Sequence, residues 1–454
     1  MKKHHSNRSM FSGKLGFVLS AAGASVGLGN IWRFPYLAAK YGGGIFLLIY
    51  ILLALTFGYT MIVAETSLGR MTRKSPVGAY ASFTKSHTLK AGGWINAIIP
   101  ILIVPYYSVI GGWVIKYLFE YICGNGTKLA EDGYFSMFIS DGVSAEICFI
   151  VFALITLTII FAGVRNGIER VSKFMMPILV VLSVIIAIYS VTRPGALKGI
   201  QYFLVPNLEN FSWMTVVSAM GQMFYSLSIA MGILVTFGSY MKKETSIEDS
   251  TRNVEIFDTA MAGLMIIPAV FAFSSGDPNT LQAGPSLMFI TIPKVFASMG
   301  LGTVVGILFF VLVLFAAVTS SIALTESAVS TFEDELHWNR KKSTVVIGII
   351  MLVLGTLSSL GYGPLDAVKI LGMQFLDFFD FLTNSVMMPI AAIATCLLVS
   401  RVIGVDRIEE EMTQEGGTFR RKKIFVMMIK YLCPVFAAII LISSVMNAFG
   451  LISM

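Results

Sequence analysis

The sequence GASVGLGN, at residues 23–30, places three glycines and an asparagine inside the first apolar stretch of the chain. Each glycine disfavours a helix interior by about 1 kcal/mol relative to alanine, so the helix is expected to break here. Because a membrane offers no water to the freed backbone groups, irregular backbone survives there only inside protein or along a cavity. The segment therefore predicts a broken membrane helix beside a binding cavity, with close helix packing through small residues as the alternative.

The composition of the chain is that of a membrane protein. Of its 454 residues, 56% are apolar and 13% are charged, whereas a soluble domain has about 25% charged residues. A membrane helix needs about 20 mostly apolar residues. We predict an all-α integral membrane protein with eleven transmembrane helices, at about residues 14–38, 43–68, 93–122, 146–163, 172–192, 213–241, 255–275, 301–331, 344–361, 370–400 and 424–452.

These helices divide the chain into four parts and predict its topology. The parts are a cytoplasmic N-terminal segment (1–13), a ten-helix core (14–400), a cytoplasmic loop (401–423) and the eleventh helix (424–454). With the N-terminus inside, 24 of the 33 Lys and Arg residues lie in inner segments and six in outer ones, the asymmetry that orients membrane proteins. We expect a plasma (inner) membrane protein with a cytoplasmic N-terminus and an external C-terminus. The net charge of +7 then needs no nucleic-acid partner.

A second interruption lies in the sixth apolar stretch, where the sequence YSLSIAMG at residues 225–232 places two hydroxyls at mid-span. The two interruptions occupy corresponding positions in two halves of five helices each. Paired interruptions of this kind point to the binding site of a transporter built from inverted repeats. Broken helices direct free amides towards an anion and free carbonyls towards a cation.

Charged and hydroxyl side chains inside the apolar stretches are the next candidates. Intramembrane charge is costly and usually functional, although an interfacial position remains open for Arg33, Glu65 and Asp377. The charged candidates are Arg33, Glu65, Asp258, Asp377 and Asp380. In the eighth stretch, AAVTSS at residues 316–321 carries three consecutive hydroxyls. These hydroxyls either bond back to helix carbonyls or supply hard oxygen ligands to a small cation.

The first interruption extends into GASVGLGNIWRFP at residues 23–35, which resembles the first-helix signature of the neurotransmitter:sodium symporter family. Similar motifs follow in order along nearly the whole chain: YGGG at 41–44, PYY at 105–107, GQMFYSLS at 221–228 and FAAVTSSIA at 315–323. The resemblance implies a LeuT-type fold, with a 5+5 inverted repeat plus one extra helix, and with helices 1 and 6 unwound at mid-membrane. It resembles the bacterial branch with eleven helices. It also implies a transporter rather than an enzyme, without an organic cofactor.

The resemblance implies two sodium sites. The first would use the Ser25 carbonyl, Asn30, Ser226, a seventh-helix side chain and the substrate carboxylate. We predict Asp258 as the seventh-helix ligand and keep Glu255 as the alternative, because this segment is about three residues shorter than the family pattern. The second site would use Gly23, Val26, Ala316, Thr319 and Ser320. An acidic seventh-helix ligand resembles the chloride-independent branch of the family.

The resemblance also implies a substrate site and two gates. The substrate residues would be Leu28, Gly29, Ile103, Tyr107, Tyr225, Ser226, Ser228, Met231, Ser320 and Leu324. Arg33 and Asp380 would form the outer gate, with Asp377 as the alternative acid. Arg8 and Asp334 would close the inner gate with help from Tyr240, and Glu65 would satisfy freed backbone amides.

The residue at position 27 bears on the substrate. Amine transporters of the family carry an acidic residue there, whereas Gly27 offers no counter-charge, which favours an amino acid. We predict a sodium-coupled symporter that imports a neutral hydrophobic or aromatic L-amino acid by alternating access, with two Na⁺ and without chloride. The alternative is an amino-acid-binding sensor of the same fold without net transport. The expected partners are the substrate, sodium ions and the lipid bilayer, with no obligate protein partner.

Overall fold

A computed structural model of the chain describes residues 9–192, 195–264 and 285–451. Helices and connecting turns make up these ranges, and no β-strand occurs within them. We number the helices as follows: α1 Lys14–Ser25, α2 Gly29–Lys40, α3 Gly44–Thr72, α4 Pro76–Phe83, α5 His87–Ile122, α6 Tyr134–Ser140, α7 Gly142–Phe161, α8 Val164–Val191, α9 Ala196–Leu204, α10 Trp213–Ser226, α11 Ile233–Ser239, α12 Ile247–Leu264, α13 Leu287–Ala297, α14 Gly302–Glu335, α15 Arg340–Leu360, α16 Phe375–Ile403, α17 Val405–Thr413 and α18 Lys422–Ala448.

Eight helices in the described ranges are long and apolar enough to cross a membrane, namely α3, α5, α7, α8, α14, α15, α16 and α18. The bent pair of α1 and α2 adds a ninth span if it is counted as one. The predicted sixth span is divided between α10 and α11, and the predicted seventh span continues beyond the described residues. The protein is therefore a multi-pass, all-α membrane protein, and the number of eleven stays a prediction.

The backbone is interrupted within both segments that the sequence singled out. Helix α1 ends at Ser25, and the axis of α2 is turned by 61° from that of α1. Helix α10 ends at Ser226, and α11 begins at Ile233. Between them, Ser228 and Ala230 adopt positive φ angles of 54° and 60°. Residues other than glycine avoid this conformation, so the surrounding structure must hold the backbone there.

Helices α3 and α11 approach each other closely enough that side chains are excluded from parts of their interface. A Cβ atom at Gly69 would overlap the carbonyl oxygen of Val235, and one at Gly238 would overlap that of Thr66. Small residues allow such close backbone contact between membrane helices. The interface fixes α11, and with it one side of the second interruption, against the uninterrupted α3.

The predicted cytoplasmic loop 401–423 is attached to the core by a buried ion pair. The Arg70 side chain on α3 donates from Nε to Glu411 Oε1 at 2.5 Å and from a terminal nitrogen to the carbonyl of Thr245 at 2.7 Å. Arg70 and Glu411 are both buried. Removing one member of a buried pair leaves an uncompensated charge, so this contact holds α17 against α3.

Substitution of Gly69 by alanine tests the close approach of α3 and α11. We expect Gly69→Ala to destabilise the protein by about 2 kcal/mol, because the backbone of α11 must shift to make room for the added methyl group. The measurement is the thermal midpoint of the purified protein in detergent. Gly300→Ala is the matched control, since nothing lies within 4 Å of a Cβ atom at that position. Equal midpoints for the two variants would show that α3 and α11 can move apart to accept the methyl group without loss of stability.

A candidate ion and substrate site between the broken helices

Asp258 on α12 is completely buried beside both interruptions. Asn30 donates from Nδ2 to Asp258 Oδ1 at 2.7 Å, and the Ser226 hydroxyl donates to the same oxygen at 2.5 Å. The Tyr50 hydroxyl donates to Oδ2. Among the described residues, no Lys or Arg forms an ion pair with this carboxylate. A buried carboxylate with only neutral donors is costly, so this cluster of oxygens suits a small cation.

Glu255, the alternative seventh-helix ligand, points to a different partner. Both of its carboxylate oxygens accept hydrogen bonds from Arg421, at 3.4 and 2.9 Å. The Arg421 guanidinium also lies 3.8 Å from the centre of the Tyr59 ring. Of the two acidic candidates, Asp258 is therefore the one that contacts Asn30 and Ser226.

Tyr50 is a member of the Asp258 cluster that the sequence analysis did not identify as a site residue. It lies on α3 and is fully buried, and its ring contacts the ring of Phe34 with centroids 4.9 Å apart. A buried tyrosine hydroxyl usually has a hydrogen-bond partner. That general rule was the available signal, but the sequence did not indicate which polar group the partner would be.

A second group of oxygen atoms lies where α1 meets α14. The Ser320 hydroxyl is 3.2 Å from the carbonyl oxygens of Gly23 and Ala24, so it crosses from one helix to the other. Thr319 instead bonds back to the carbonyls of Phe315 and Ala316, at 2.9 and 3.1 Å. Its side chain nevertheless faces α1, since a Cβ atom at Gly23 would lie 3.0 Å from Thr319 Cβ. Val26 caps the C-terminal end of α1.

A small cavity of about 20 Å³ lies between the two interruptions. It is lined by nine of the ten predicted substrate residues: Leu28, Gly29, Ile103, Tyr107, Tyr225, Ser228, Met231, Ser320 and Leu324. Ser226, the tenth, belongs to the Asp258 cluster. Ser25 and Asn30 also line the cavity, so it adjoins that cluster. The sequence analysis missed Ala24 and Ile233, which carry no polar signal.

One end of the cavity presents hydrogen-bonding groups that suit a carboxylate. The Leu28 amide donates to the Tyr107 hydroxyl at 3.3 Å, just before the start of α2. A Cβ atom at Gly27 would lie 2.7 Å from Ser320 Oγ and 3.1 Å from the Tyr107 hydroxyl. A side chain at position 27 would therefore have to displace the Ser320 hydroxyl. This crowding is a second reason, beside the missing charge, to expect no acidic residue there. Amides at a helix start and a hydroxyl are ordinary ligands of an anion.

The other end of the cavity is apolar. Ile103, Met231 and Leu324 contribute to it, and none of the described residues in the lining is ionisable as an acid or a base at neutral pH. Met231 is flexible and polarisable, and such a side chain adapts to more than one shape. This end suits an uncharged apolar or aromatic group.

Tyr225 separates this cavity from a larger one of about 360 Å³ on the side of Arg33, Asp377 and Asp380. Its ring occupies the space that a Cβ atom at Gly29 would need, and the Arg33 guanidinium carbon lies 5.7 Å from the ring centre. The tyrosine thus lies between the two cavities and is positioned as a lid.

The residues of the predicted outer gate line the larger cavity. Arg33 and Asp380 line the same outer cavity, but the described residues show no ion pair between them. Asp380 instead accepts hydrogen bonds from Asn384 at 2.6 Å and from the Tyr106 hydroxyl at 3.2 Å. Both charged groups border the outer cavity, and the outer gate of Arg33 and Asp380 stays a prediction.

The predicted inner gate is only partly described. Arg8 lies outside the described residues. Asp334 accepts a hydrogen bond from the Ser75 amide at 2.5 Å. The Tyr240 hydroxyl donates to Glu326 at 2.7 Å, and Arg340 forms an ion pair with Glu326 at 2.5 Å. The sequence analysis missed Glu326, although an acidic residue in the middle of a buried helix face is itself a signal.

Glu65 contributes to the second interruption. Its Oε1 accepts a hydrogen bond of 2.8 Å from the amide of Ala230, one of the residues with positive φ. Glu65 is fully buried. The carboxylate satisfies a backbone amide that the interruption removes from helical hydrogen bonding, as expected from the sequence.

Comparison with known proteins identifies the family. The model of the Sodium:neurotransmitter symporter family matches residues 8–127 and 136–451. The chain is 34% identical to an uncharacterised sodium-dependent transporter of Bacillus subtilis over 98% of both chains. It is 30% identical to an uncharacterised sodium-dependent transporter of Methanocaldococcus jannaschii, covering 90% of this chain and 84% of that one.

A solved structure has the same fold. The crystal structure of MhsT in complex with L-phenylalanine matches with a TM-score of 0.86 and 33% identity, over 96% of this chain and 100% of that one. The family whose model matches this chain consists of sodium symporters. The protein is therefore a sodium-dependent membrane transporter with a LeuT-type fold and not an enzyme. Because the family model matches nearly the whole length, the chain belongs to the sodium:neurotransmitter symporter family.

Proposed function

We propose that this protein imports a neutral hydrophobic or aromatic L-amino acid together with two sodium ions, by alternating access. The observation that carries the proposal is the buried Asp258 carboxylate, which has neutral donors and adjoins a cavity lined by the start of α2 and by apolar side chains. A cation at this carboxylate and a zwitterion in the cavity would complete each other's coordination.

The first sodium would bind between Asn30, Ser226, Asp258 and the Ser25 carbonyl. The substrate carboxylate would be a further ligand, so each species would raise the affinity for the other by the same factor. Asp258 supplies a fixed negative charge to this site, which supports transport without chloride. In this arrangement the chain's own residues hold the ion and orient the carboxylate towards the amides of Leu28 and Gly29.

The second sodium would bind where α1 meets α14, among the carbonyls of Gly23, Val26 and Ala316 and the hydroxyls of Thr319 and Ser320. The number of ions sets the limit of accumulation. Two sodium ions that cross 100 mV and a tenfold gradient release roughly 7 kcal/mol, a ceiling of about 10⁵-fold for a zwitterion. Coupling to one sodium ion would limit accumulation of the substrate to roughly 400-fold.

The substrate class follows from both ends of the cavity. At the carboxylate end, position 27 is a glycine that contributes no negative charge to hold an amine, and an added side chain would have to displace Ser320 Oγ. The apolar end has no ionised group for a charged substrate side chain. The related protein MhsT was crystallised with L-phenylalanine, which supports an apolar or aromatic amino acid here.

Alternating access would use the groups on either side of the substrate cavity. With an internal N-terminus, the cavity beside Arg33 and Asp380 faces outside, and Tyr225 covers the substrate from that side. On the inner side, contacts such as Tyr240 to Glu326 would have to part before release. We place this machinery in a ten-helix core at 14–400, within eleven helices whose first and sixth members are unwound at mid-membrane, in the plasma membrane.

Uptake by purified protein in liposomes tests the function. We expect an inward sodium gradient to drive accumulation of labelled apolar or aromatic amino acids, because the ions and the substrate share one site. Replacing sodium with potassium should abolish accumulation, whereas replacing chloride with gluconate should not change it. A decarboxylated analogue, 2-phenylethylamine, should fail to compete with phenylalanine, since it lacks the carboxylate.

Two outcomes would contradict this assignment. Sodium-dependent binding of amino acids without uptake would support the alternative, a sensor of the same fold that binds without net transport. Uptake of 2-phenylethylamine in preference to phenylalanine would overturn the substrate class.

Asp258→Asn tests the first ion site. The substitution keeps the shape of the side chain and removes its charge, so we expect the apparent sodium affinity to fall at least about tenfold, or 1.4 kcal/mol. The measurement is sodium-dependent binding of the labelled substrate. Glu255→Gln is the matched control on the same helix, because Glu255 pairs with Arg421. A larger loss in Glu255→Gln than in Asp258→Asn would assign the ligand to Glu255.

Thr319→Val tests the second ion site. The change removes one hydroxyl at nearly constant shape, and we expect the Hill coefficient for sodium to fall from about two to about one. Thr325→Val is the control, since the Thr325 hydroxyl is buried in the same helix and bonds back to Ser321 at 2.7 Å. If both variants keep the coefficient of the unmodified protein, the two-site assignment fails.

A further inference from the structure

A group of basic side chains at one end of α7 and α15 has no role in the proposed transport cycle. Lys341 and Lys342 lie in the first turn of α15 and are exposed, and Arg165 is exposed near the start of α8, five residues beyond Ile160 of α7. The Lys342 ammonium lies 3.9 Å from the centre of the Trp338 ring. This end of both helices is the one that the distribution of basic residues predicts to be cytoplasmic.

Two contacts show that α7 and α15 meet at this end. The Arg340 side chain donates from Nε to the carbonyl of Ile160 at 2.9 Å. Further along, a Cβ atom at Gly348 would lie 3.1 Å from the Leu157 side chain. The outward sides of the two helices are apolar and exposed, at Ile147, Leu154, Phe161, Val345, Ile349 and Val353. The basic residues therefore stand at the inner end of two contacting helices whose outer sides are apolar and exposed.

Two acidic residues near this end of α15, Glu326 and Glu333, pair with Arg340. Arg340 forms ion pairs with Glu326 at 2.5 Å and with Glu333 at 3.7 Å. No ion pair within the described part of the chain involves Lys341, Lys342 or Arg165. The backbone amide of Lys342, in the first turn of α15, is already occupied, because it donates to the Asn339 side chain at 2.9 Å. An anion at this end would therefore contact the basic side chains.

We propose that the inner end of α7 and α15, with its three basic residues, is a binding site for an anionic phospholipid. The phosphate of the headgroup would contact Lys341, Lys342 and Arg165, and the acyl chains would lie along the exposed apolar sides of α7 and α15. Basic groups between membrane helices on the cytoplasmic side bind such headgroups, and a tryptophan at the same level is typical of the membrane interface. The site would tie the inner ends of α7 and α15 to one lipid molecule.

Lipid retention by the purified protein tests the proposal. The protein is incubated in neutral detergent with equal amounts of phosphatidylglycerol and phosphatidylcholine, and bound lipid is counted by native mass spectrometry. We expect selective retention of phosphatidylglycerol, and a roughly tenfold or greater loss of it in the triple variant Arg165→Gln/Lys341→Gln/Lys342→Gln. The control is Lys85→Gln/Lys243→Gln/Arg407→Gln, which removes three exposed cations at other places on the same side.

A second measurement locates the lipid. Phosphatidylglycerol with brominated acyl chains should quench the fluorescence of Trp338, measured as the difference between the unmodified protein and Trp338→Phe, more than brominated phosphatidylcholine does. The triple variant should lose this difference and the control should keep it. Equal losses of phosphatidylglycerol in the triple variant and the control, or equal quenching by the two lipids, would show that these residues serve only to orient the protein.

Discussion

The buried carboxylate of Asp258 is the constraint on which the arrangement of the centre depends. Its donors come from three separate elements, with Asn30 on α2, Tyr50 on α3 and Ser226 on α10. A charge at this depth is tolerated only where several groups converge on it. The need to surround one carboxylate therefore brings the starts and ends of the broken helices to the same place, next to the cavity that we assign to the substrate.

The two interruptions are maintained by different means. Near residue 27 the backbone leaves the helix where glycines permit it, and a side chain there would collide with Ser320 and Tyr107. In the second interruption, Ser228 and Ala230 hold positive φ angles without being glycines. That strain is balanced by specific contacts, including the bond from the Ala230 amide to Glu65. A local conformation in α10–α11 thus depends on a carboxylate far away in the chain.

The smaller cavity is covered differently on its outer and inner sides, which is consistent with a transporter. On one side, Tyr225 lies between the smaller cavity and a cavity of about 360 Å³ that Arg33 and Asp380 line. On the other side, Glu326 gathers Tyr240 and Arg340 into a buried network, and Phe11 donates its amide to the Tyr240 carbonyl at 3.1 Å. In the transport cycle that we propose, Tyr225 would move on the first side and this network would part on the second.

The sequence by itself determined the membrane class, both interruptions and the family, because apolar length, glycine content and ordered motifs are local properties of the chain. The resemblance of short motifs also named nine residues that the structure brings together around the smaller cavity, although their role in binding a substrate stays a prediction. The choice between Asp258 and Glu255 could not, since both are acidic residues on one helix. Only the tertiary structure brings Arg421 to Glu255 and Asn30 to Asp258, and the same holds for the partners of Tyr50 and Glu326. These pairings join residues far apart in sequence, and local patterns carry no information about which distant groups will meet.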